Sequence, residues 1–207
     1  MVFLLVAFGA YLLGSFPSGY VIGRARGVDL RREGSGNIGA TNALRVLGKK
    51  WGYLCFVLDI GKGALAVCLA KSVVAPAFDL VPTQAGIVAA VGALLGHTFP
   101  VWLKFKGGKG IATSGGIALA LFPPVVFLVS IAAWIATFFA TRIVSIASLV
   151  ATSVLGITLV VLWLRGGDGA LAIVGVAMCV LVFWLHRANL SRLAQGTEPR
   201  FEKRRKS

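Results

Sequence analysis

Apolar residues run through this chain in long continuous stretches, separated by a few polar, glycine-rich segments. A stretch near the roughly 20 residues that cross a bilayer core predicts a helix, because only a helix satisfies its own backbone in lipid. The pattern predicts span one over residues 1–23, span two over 51–74 and span three over 85–103. Residues 111–140 exceed one span and contain Pro123-Pro124, so the division falls there, giving a short span four over 111–122 and span five over 125–140. Span six covers 143–164 and span seven 170–185. Continuous rather than alternating runs argue against an outer-membrane barrel. The expected fold is all-α: a polytopic transmembrane helical bundle of about seven spans, forming one domain over residues 1–207.

Details inside the spans refine this picture. Pro17 is expected to kink span one near its inner end, with Ser15, Ser18 and Gly19 re-satisfying the freed backbone groups. Asp59 and Lys62 are three apart, on one helical face, and read either as a structural ion pair or as catalytic groups. Cys55, Cys68 and Cys179 all lie in apolar stretches without C-x-x-C spacing, which suits packing rather than disulfides or metal.

Composition agrees: 57% of the 207 residues are hydrophobic and only 14% charged. The net charge of +14 is placed, not spread. Of 21 Lys and Arg, seven lie between Arg24 and Lys50, three between Lys104 and Lys109, and seven between Arg187 and Lys206. Charges in loops and a tail beside apolar spans follow the positive-inside pattern and favour anionic lipid surfaces; nothing resembles a nucleic-acid-binding module. Seven spans put the N-terminus outside, the C-terminus in the cytoplasm, and all three basic segments on one side. Five spans would keep that sidedness and six would not. The first basic residue, Arg24, follows the first apolar run, which suits a retained span rather than a cleaved signal.

Three polar constellations interrupt the apolar pattern. The first is Gly34-Ser35-Gly36-Asn37-Ile38-Gly39-Ala40-Thr41-Asn42-Ala43-Leu44-Arg45. Its glycines let backbone N–H groups turn inward as an anion nest, Thr41 or Asn42 can cap a following helix, and Arg45 offers a planar fork. The same loop also reads as a hydrophilic connection. The second runs from Gly96-His97 through Pro100 to Lys104-Phe105-Lys106-Gly107-Gly108-Lys109-Gly110-Ile111-Ala112-Thr113. It is not a P-loop, since Gly110 follows Lys109, but flexible backbone before a helix start again suits an anion. The third is His186-Arg187-Ala188-Asn189-Leu190-Ser191-Arg192-Leu193 with Gly196-Thr197-Glu198; a continuing helix would put His186 and Asn189 on one face. Converging on one site, these loops would be rich in cations and donors and poor in carboxylates. That suits phosphate-bearing substrates and no metal or other cofactor.

In order, spacing and hydrophobic layout, these three loops closely resemble the signature motifs of the bacterial acyl-phosphate:glycerol-3-phosphate acyltransferases, integral membrane enzymes of phospholipid synthesis. The resemblance spans essentially the whole chain. It implies transfer of a fatty acyl group from acyl phosphate to the 1-hydroxyl of glycerol 3-phosphate, releasing inorganic phosphate, on the cytoplasmic side of the inner membrane. The lipid bilayer and neighbouring phospholipid-synthesis enzymes are the expected partners. By motif position, Ser35, Arg45, Lys106 and Lys109 hold phosphate groups. Asn37, Thr41, Asn42, Gly107, Gly108 and Gly110 complete the phosphate-binding loops. His186, Asn189, Ser35 and Lys106 form the expected catalytic set, Asn37, Asn42 and Asn189 orienting the substrates and His186 lying beside the attacking hydroxyl. A substrate phosphate is the other candidate for the proton. His97, Lys104, Arg142, Ser145, Arg192 and Glu198 are secondary candidates. Two other classes remain open to the residues alone. One is a carrier for an organic phosphate; the other is a metal-dependent phosphatidyl transferase, disfavoured because only Asp29, Glu33, Glu198 and Glu202 lie on the active face.

Overall fold

In the computed structural model, which describes residues 1–201, each predicted apolar stretch is helical and no strand occurs among the described residues. Part of the expected basic tail, residues 202–207, lies outside them. Span one, Val2–Ala25, is interrupted at the expected proline. Helix α1 (Val2–Gly14) stops before Pro17, and α2 (Ser18–Ala25) starts after it. The carbonyl of Phe16 is satisfied by the Lys62 ammonium at 2.9 Å and the Ser18 N–H at 3.1 Å. The expected hydroxyl of Ser18 instead donates to Asp59.

Next come α3 (Ala40–Leu47) and α4 (Lys49–Leu69), the latter continuing through a π-helical turn, Ala70–Val74, into α5 (Ala75–Ala77). Pro76 has no N–H to give the preceding turn, which accounts for the widened ladder just before it. Helix α6 (Pro82–Thr98) leads through a 3₁₀ turn, Val101–Leu103, to α7 (Ile111–Leu121). Then follow α8 (Pro124–Thr141), α9 (Val144–Leu164), α10 (Gly169–Leu185) and α11 (Arg187–Ala194).

Among the described residues, five segments are long and apolar enough to cross a bilayer: Val2–Ala25, Lys49–Ala77, Pro82–Leu103, Pro124–Thr141 and Val144–Leu164. A sixth is α10 with α11, bent by 57° at their junction. The expected short span four is α7: its eleven residues make it about 16 Å long, half a bilayer core. Its shortness has a local cause. Residues 104–110 fold back along the end of α6, so α7 starts with Gly110 already beside Leu94. Non-helical backbone at such depth is tolerable because protein covers it.

The chain divides at Pro123 into two compact units, Met1–Phe122 and the residues that follow. In the first, α1 packs on α6 through small residues: a Cβ on Gly14 would fall on the Ala93 backbone, and Ala10, Ala85 and Ala89 fill the same core. Helix α7 approaches α4 as closely, Gly63 against Thr113 and Gly116 against Ile60. Close backbone approach replaces large side chains here, as expected where lipid offers no hydrophobic drive between helices. In the second unit α9 packs between α8 and α10, with Gly156 against Cys179 and Gly175 against Leu159. Outward side chains of α8 such as Leu128, Ile135 and Phe139 remain exposed, as a lipid-facing helix requires. Asp168 caps α10 by accepting from the Ala170 N–H at 2.8 Å.

Candidate active site

The first polar loop is organised by Asn42. Its Oδ1 accepts from the Ser35 N–H at 2.9 Å, and its Nδ2 donates to the carbonyls of Leu30, Glu33 and Asn37 at 3.1, 3.0 and 2.8 Å. Gly34 and Gly36 take φ of +58° and +71°, so the turn around Ser35 needs residues without a Cβ. Neither Thr41 nor Asn42 caps α3, contrary to expectation. The helix starts at Ala40 with Gly39 as its N-cap, and the Asn37 side chain holds the Gly39 N–H at 2.8 Å. The Asn42 amide is therefore committed to the loop's own backbone. Ser35 lies exposed on the resulting turn, and Arg45 lies exposed in the last turn of α3.

At the rim, Arg31 grips Asp29 with two side-chain hydrogen bonds, of 2.9 and 2.6 Å. Those bonds hold the Asp29 carboxyl at about 2, so this acid stays ionised and its charge is met by Arg31.

The second loop is built on the carboxyl end of α6, whose last carbonyls have no helical partner. The Gly108 N–H donates to the His97 carbonyl at 3.1 Å and the Gly107 N–H to that of Thr98 at 3.0 Å. Tyr11 hydroxyl donates to the Phe99 carbonyl at 2.8 Å, and the Leu103 and Phe105 N–H groups to that of Pro100. Lys104 and Phe105 both adopt left-handed backbone, φ 53° and 61°, a conformation that costs energy in a residue with a Cβ. Lys104 and Lys106 are exposed, Lys109 is half-buried, and Gly110 is the N-cap of α7.

Beneath this loop lies a polar network in the apolar interior. Asp59 Oδ1 receives Lys62 Nζ at 2.9 Å and Ser18 Oγ at 2.8 Å, and His97 Nδ1 stands 3.7 Å away. Cys55 Sγ lies between Asp59 Oδ2, at 3.7 Å, and the Ile38 carbonyl of the first loop, at 3.9 Å. The two loops are thus joined through the start of α2 and the face of α4. Around the second loop, Ser15 Oγ, His97 Nδ1, Thr98 Oγ1, Thr113 Oγ1 and Ser114 Oγ are buried without a hydrogen-bond partner among the described residues. Such groups are costly to leave bare and are concentrated in this one unit.

In the second unit Glu198 draws the third constellation together. Its Oε1 accepts from Ser145 Oγ at 2.7 Å and Asn189 Nδ2 at 2.6 Å; its Oε2 accepts from Arg192 Nε at 2.7 Å. Burial raises the Glu198 carboxyl, but these three donors outweigh it and hold the group below its ordinary value. His186 does not sit in a continuing helix, as the sequence suggested. It is the joint of the 57° bend between α10 and α11, and it is buried. Its Nδ1 lies 2.8 Å from the Val182 carbonyl and must donate, so in the neutral ring Nε2 carries the lone pair. Arg142 ends α8 in left-handed backbone, φ 59°, with its guanidinium over the Phe139 ring and its carbonyl accepting from the Phe201 N–H at 2.8 Å.

Each unit therefore carries part of the expected set: Ser35, Asn37, Thr41, Asn42, Arg45 and residues 97–110 in the first, Arg142, Ser145, His186, Asn189, Arg192 and Glu198 in the second. Sequence reasoning missed that Ser18 and His97 join the Asp59–Lys62 pair. It also missed that Asn42 serves the loop rather than facing outward. The i, i+3 spacing of Asp59 and Lys62 was the one available signal for the network.

The sequence profile described as glycerol-3-phosphate acyltransferase matches residues 4–196. A glycerol-3-phosphate acyltransferase of a Synechococcus strain is 46% identical over 205 residues, covering 99% of this chain and 97% of the relative. One from Bacillus velezensis is 40% identical over 194 residues, covering 93% and 94%. Among solved structures, PlsY, an integral membrane glycerol 3-phosphate acyltransferase, is similar in its glycerol 3-phosphate form: TM-score 0.87, 38% identity, 98% of this chain and 96% of that one. Its lysophosphatidic acid form gives a TM-score of 0.85 at 37% identity and the same coverage. With this agreement in sequence and fold, the chain belongs to the glycerol-3-phosphate acyltransferase family.

Proposed function

We propose that this protein moves a fatty acyl group from an acyl phosphate to the 1-hydroxyl of glycerol 3-phosphate, giving lysophosphatidic acid and inorganic phosphate. The observation that carries the reading is a surplus of cations over carboxylates on two glycine loops of one unit. By count, the carboxylates Asp29, Glu33 and Asp59 stand against Arg31, Arg45, Lys62, Lys104, Lys106 and Lys109 on or beside the loops. That inventory suits two phosphate-bearing substrates.

Ser35, Arg45, Lys106 and Lys109 hold the phosphates; the N–H groups of Gly107 and Gly108, spent on the carbonyls of Thr98 and His97, shape the second loop rather than donate to substrate. The substrate hydroxyl oxygen bonds to the acyl carbonyl carbon. The bond from that carbon to the phosphate oxygen breaks, and its electron pair leaves with inorganic phosphate. The hydroxyl proton passes to His186 Nε2 or to the departing phosphate. Asn189, held by Glu198, orients the acceptor. The mixed anhydride is already activated, so positioning and charge stabilisation suffice and no cofactor is invoked. The basic segments face the cytoplasm at the inner membrane of a bacterium, with the N-terminus outside and α7 counted as a short seventh span. Enzymes that supply acyl phosphate and consume lysophosphatidic acid are its natural neighbours.

The test uses purified protein in detergent with palmitoyl phosphate, glycerol 3-phosphate and no added metal. Lysophosphatidic acid should form with palmitoyl phosphate and not with palmitoyl-CoA. Arg45→Ala should lower kcat/KM by about a hundredfold, the loss of one charge-assisted phosphate contact. His186→Gln with near-normal turnover would assign the proton to the phosphate. Equal turnover with palmitoyl-CoA would overturn the donor assignment.

A further inference from the structure

Three of residues 104–110 are glycines, so the second loop has few side chains with which to fix its own height and tilt. Its backbone hangs on two consecutive carbonyls, those of His97 and Thr98, through the N–H groups of Gly108 and Gly107. The His97 side chain meets the same loop from below: a Cβ on Gly108 would land on the imidazole edge at Nε2 and Cε1. The ring is thus a plate under Gly108, and any rotation of it would move the loop.

What holds the ring lies on its other edge. His97 Nδ1 is 3.7 Å from Asp59 Oδ1, too long for a hydrogen bond, so the carboxylate acts on the ring by contact and by its field on the imidazole dipole. Asp59 is itself immobilised by Lys62 Nζ and Ser18 Oγ, at 2.9 and 2.8 Å, and Lys62 also donates to the Phe16 carbonyl exposed by the break at Pro17. His97, Asp59 and Lys62 are each at least nine-tenths buried. A buried ion pair rarely improves stability over apolar packing, and its best-attested use is to specify one arrangement. Here the arrangement specified is that of α1, α2, α4 and α6 around the base of one loop.

We infer that Asp59, Lys62 and His97 form a positioning relay that sets the second loop for phosphate binding without touching substrate. The inference rests on the proposed phosphate-binding role of that loop and adds to it the groups that make it rigid. A loop already fixed in shape presents its lysines to an anion with little ordering cost at the moment of binding. Loss of the relay should therefore weaken glycerol 3-phosphate binding more than it slows the bound complex.

The experiment uses the full-length protein in detergent and two variants. Asp59→Asn/Lys62→Met removes both charges together, so that no unpaired buried charge remains. His97→Gln keeps a polar group near the Nε2 edge but loses the ring. Calorimetric binding of glycerol 3-phosphate, and initial rates with palmitoyl phosphate, are measured per folded protein. We expect Kd and KM for glycerol 3-phosphate to rise about tenfold in each variant, with kcat changing less than about threefold. The triple combination should be no worse than either variant, because both act through one ring. Values of Kd and KM within twofold of the unaltered protein would overturn the relay. So would a fall in kcat alone that tracks a lower melting temperature, the mark of a structural role. The calorimetric arm needs no turnover, so an unaltered protein that binds glycerol 3-phosphate yet ignores palmitoyl phosphate would refute only the donor assignment.

Discussion

Replacing Asn42 tests whether the first loop is held from within. The side chain is 1% exposed. Its two N–H hydrogens face three carbonyls within 3.1 Å, so one hydrogen is shared, and its oxygen takes the Ser35 N–H. That makes about three net hydrogen bonds of about 1 kcal/mol each. Ser35 is exposed and its N–H can turn to water, which leaves about 2 kcal/mol lost in Asn42→Ala. For a chain of this size the melting temperature should fall by about 4–8 °C. Asn42→Asp is the sharper probe. It keeps the acceptor for Ser35 but turns an oxygen toward three carbonyl oxygens, so it should be less stable than the alanine variant although it is nearly isosteric. Thermal unfolding in detergent, with glycerol 3-phosphate binding measured alongside, reads both effects. An Asn42→Ala protein that melts normally but binds weakly would refute the reasoning and return Asn42 to direct substrate contact. An aspartate variant more stable than alanine would refute the assigned hydrogen-bond directions.

Two further expectations concern stability. Glu198 has a lowered folded-state pKa, so its stabilising contribution is complete above the ordinary value of about 4.5 and is lost as pH falls through the lower folded value. The melting-temperature gap between the unaltered protein and Glu198→Gln should therefore be widest near neutral pH and close in acid; a gap constant with pH would refute the Glu198 clasp. Gly115 and Gly116 are neighbours in α7 with opposite surroundings: open space at Gly115, the Ile60 carbonyl at Gly116. Gly115→Ala should stabilise by about 0.5–1 kcal/mol through helix propensity, whereas Gly116→Ala should cost about 1–3 kcal/mol by forcing α7 off α4. Equal melting temperatures for the two variants would count against that helix contact.

The apolar helices were legible because lipid allows few alternatives: long apolar runs became helices, and Pro17 and Pro123 marked real breaks. The short length of α7 was legible too, 111–122 expected and Ile111–Leu121 found; its cause was not, being tertiary, the folding back of residues 104–110 on the carbonyls of α6. The motif residues stood out by chemistry, as glycines, cations and amides in an apolar chain. Their partners did not. Ser18 meets Asp59 across 41 positions, and the bend at His186 falls between Leu185 and Arg187 with no proline or glycine to announce it. Asn42 shows the same limit at short range. An amide spent on three loop carbonyls looks, in sequence, like an amide awaiting a ligand.

The most direct measurement is the stoichiometry of the reaction itself. Purified protein would receive palmitoyl phosphate and glycerol 3-phosphate, with inorganic phosphate and lysophosphatidic acid quantified in the same samples. The two products should appear together in about a one-to-one ratio, only when both substrates are present, as direct attack on a mixed anhydride requires. Phosphate release without glycerol 3-phosphate, or lysophosphatidic acid formed from palmitoyl-CoA without phosphate, would contradict it.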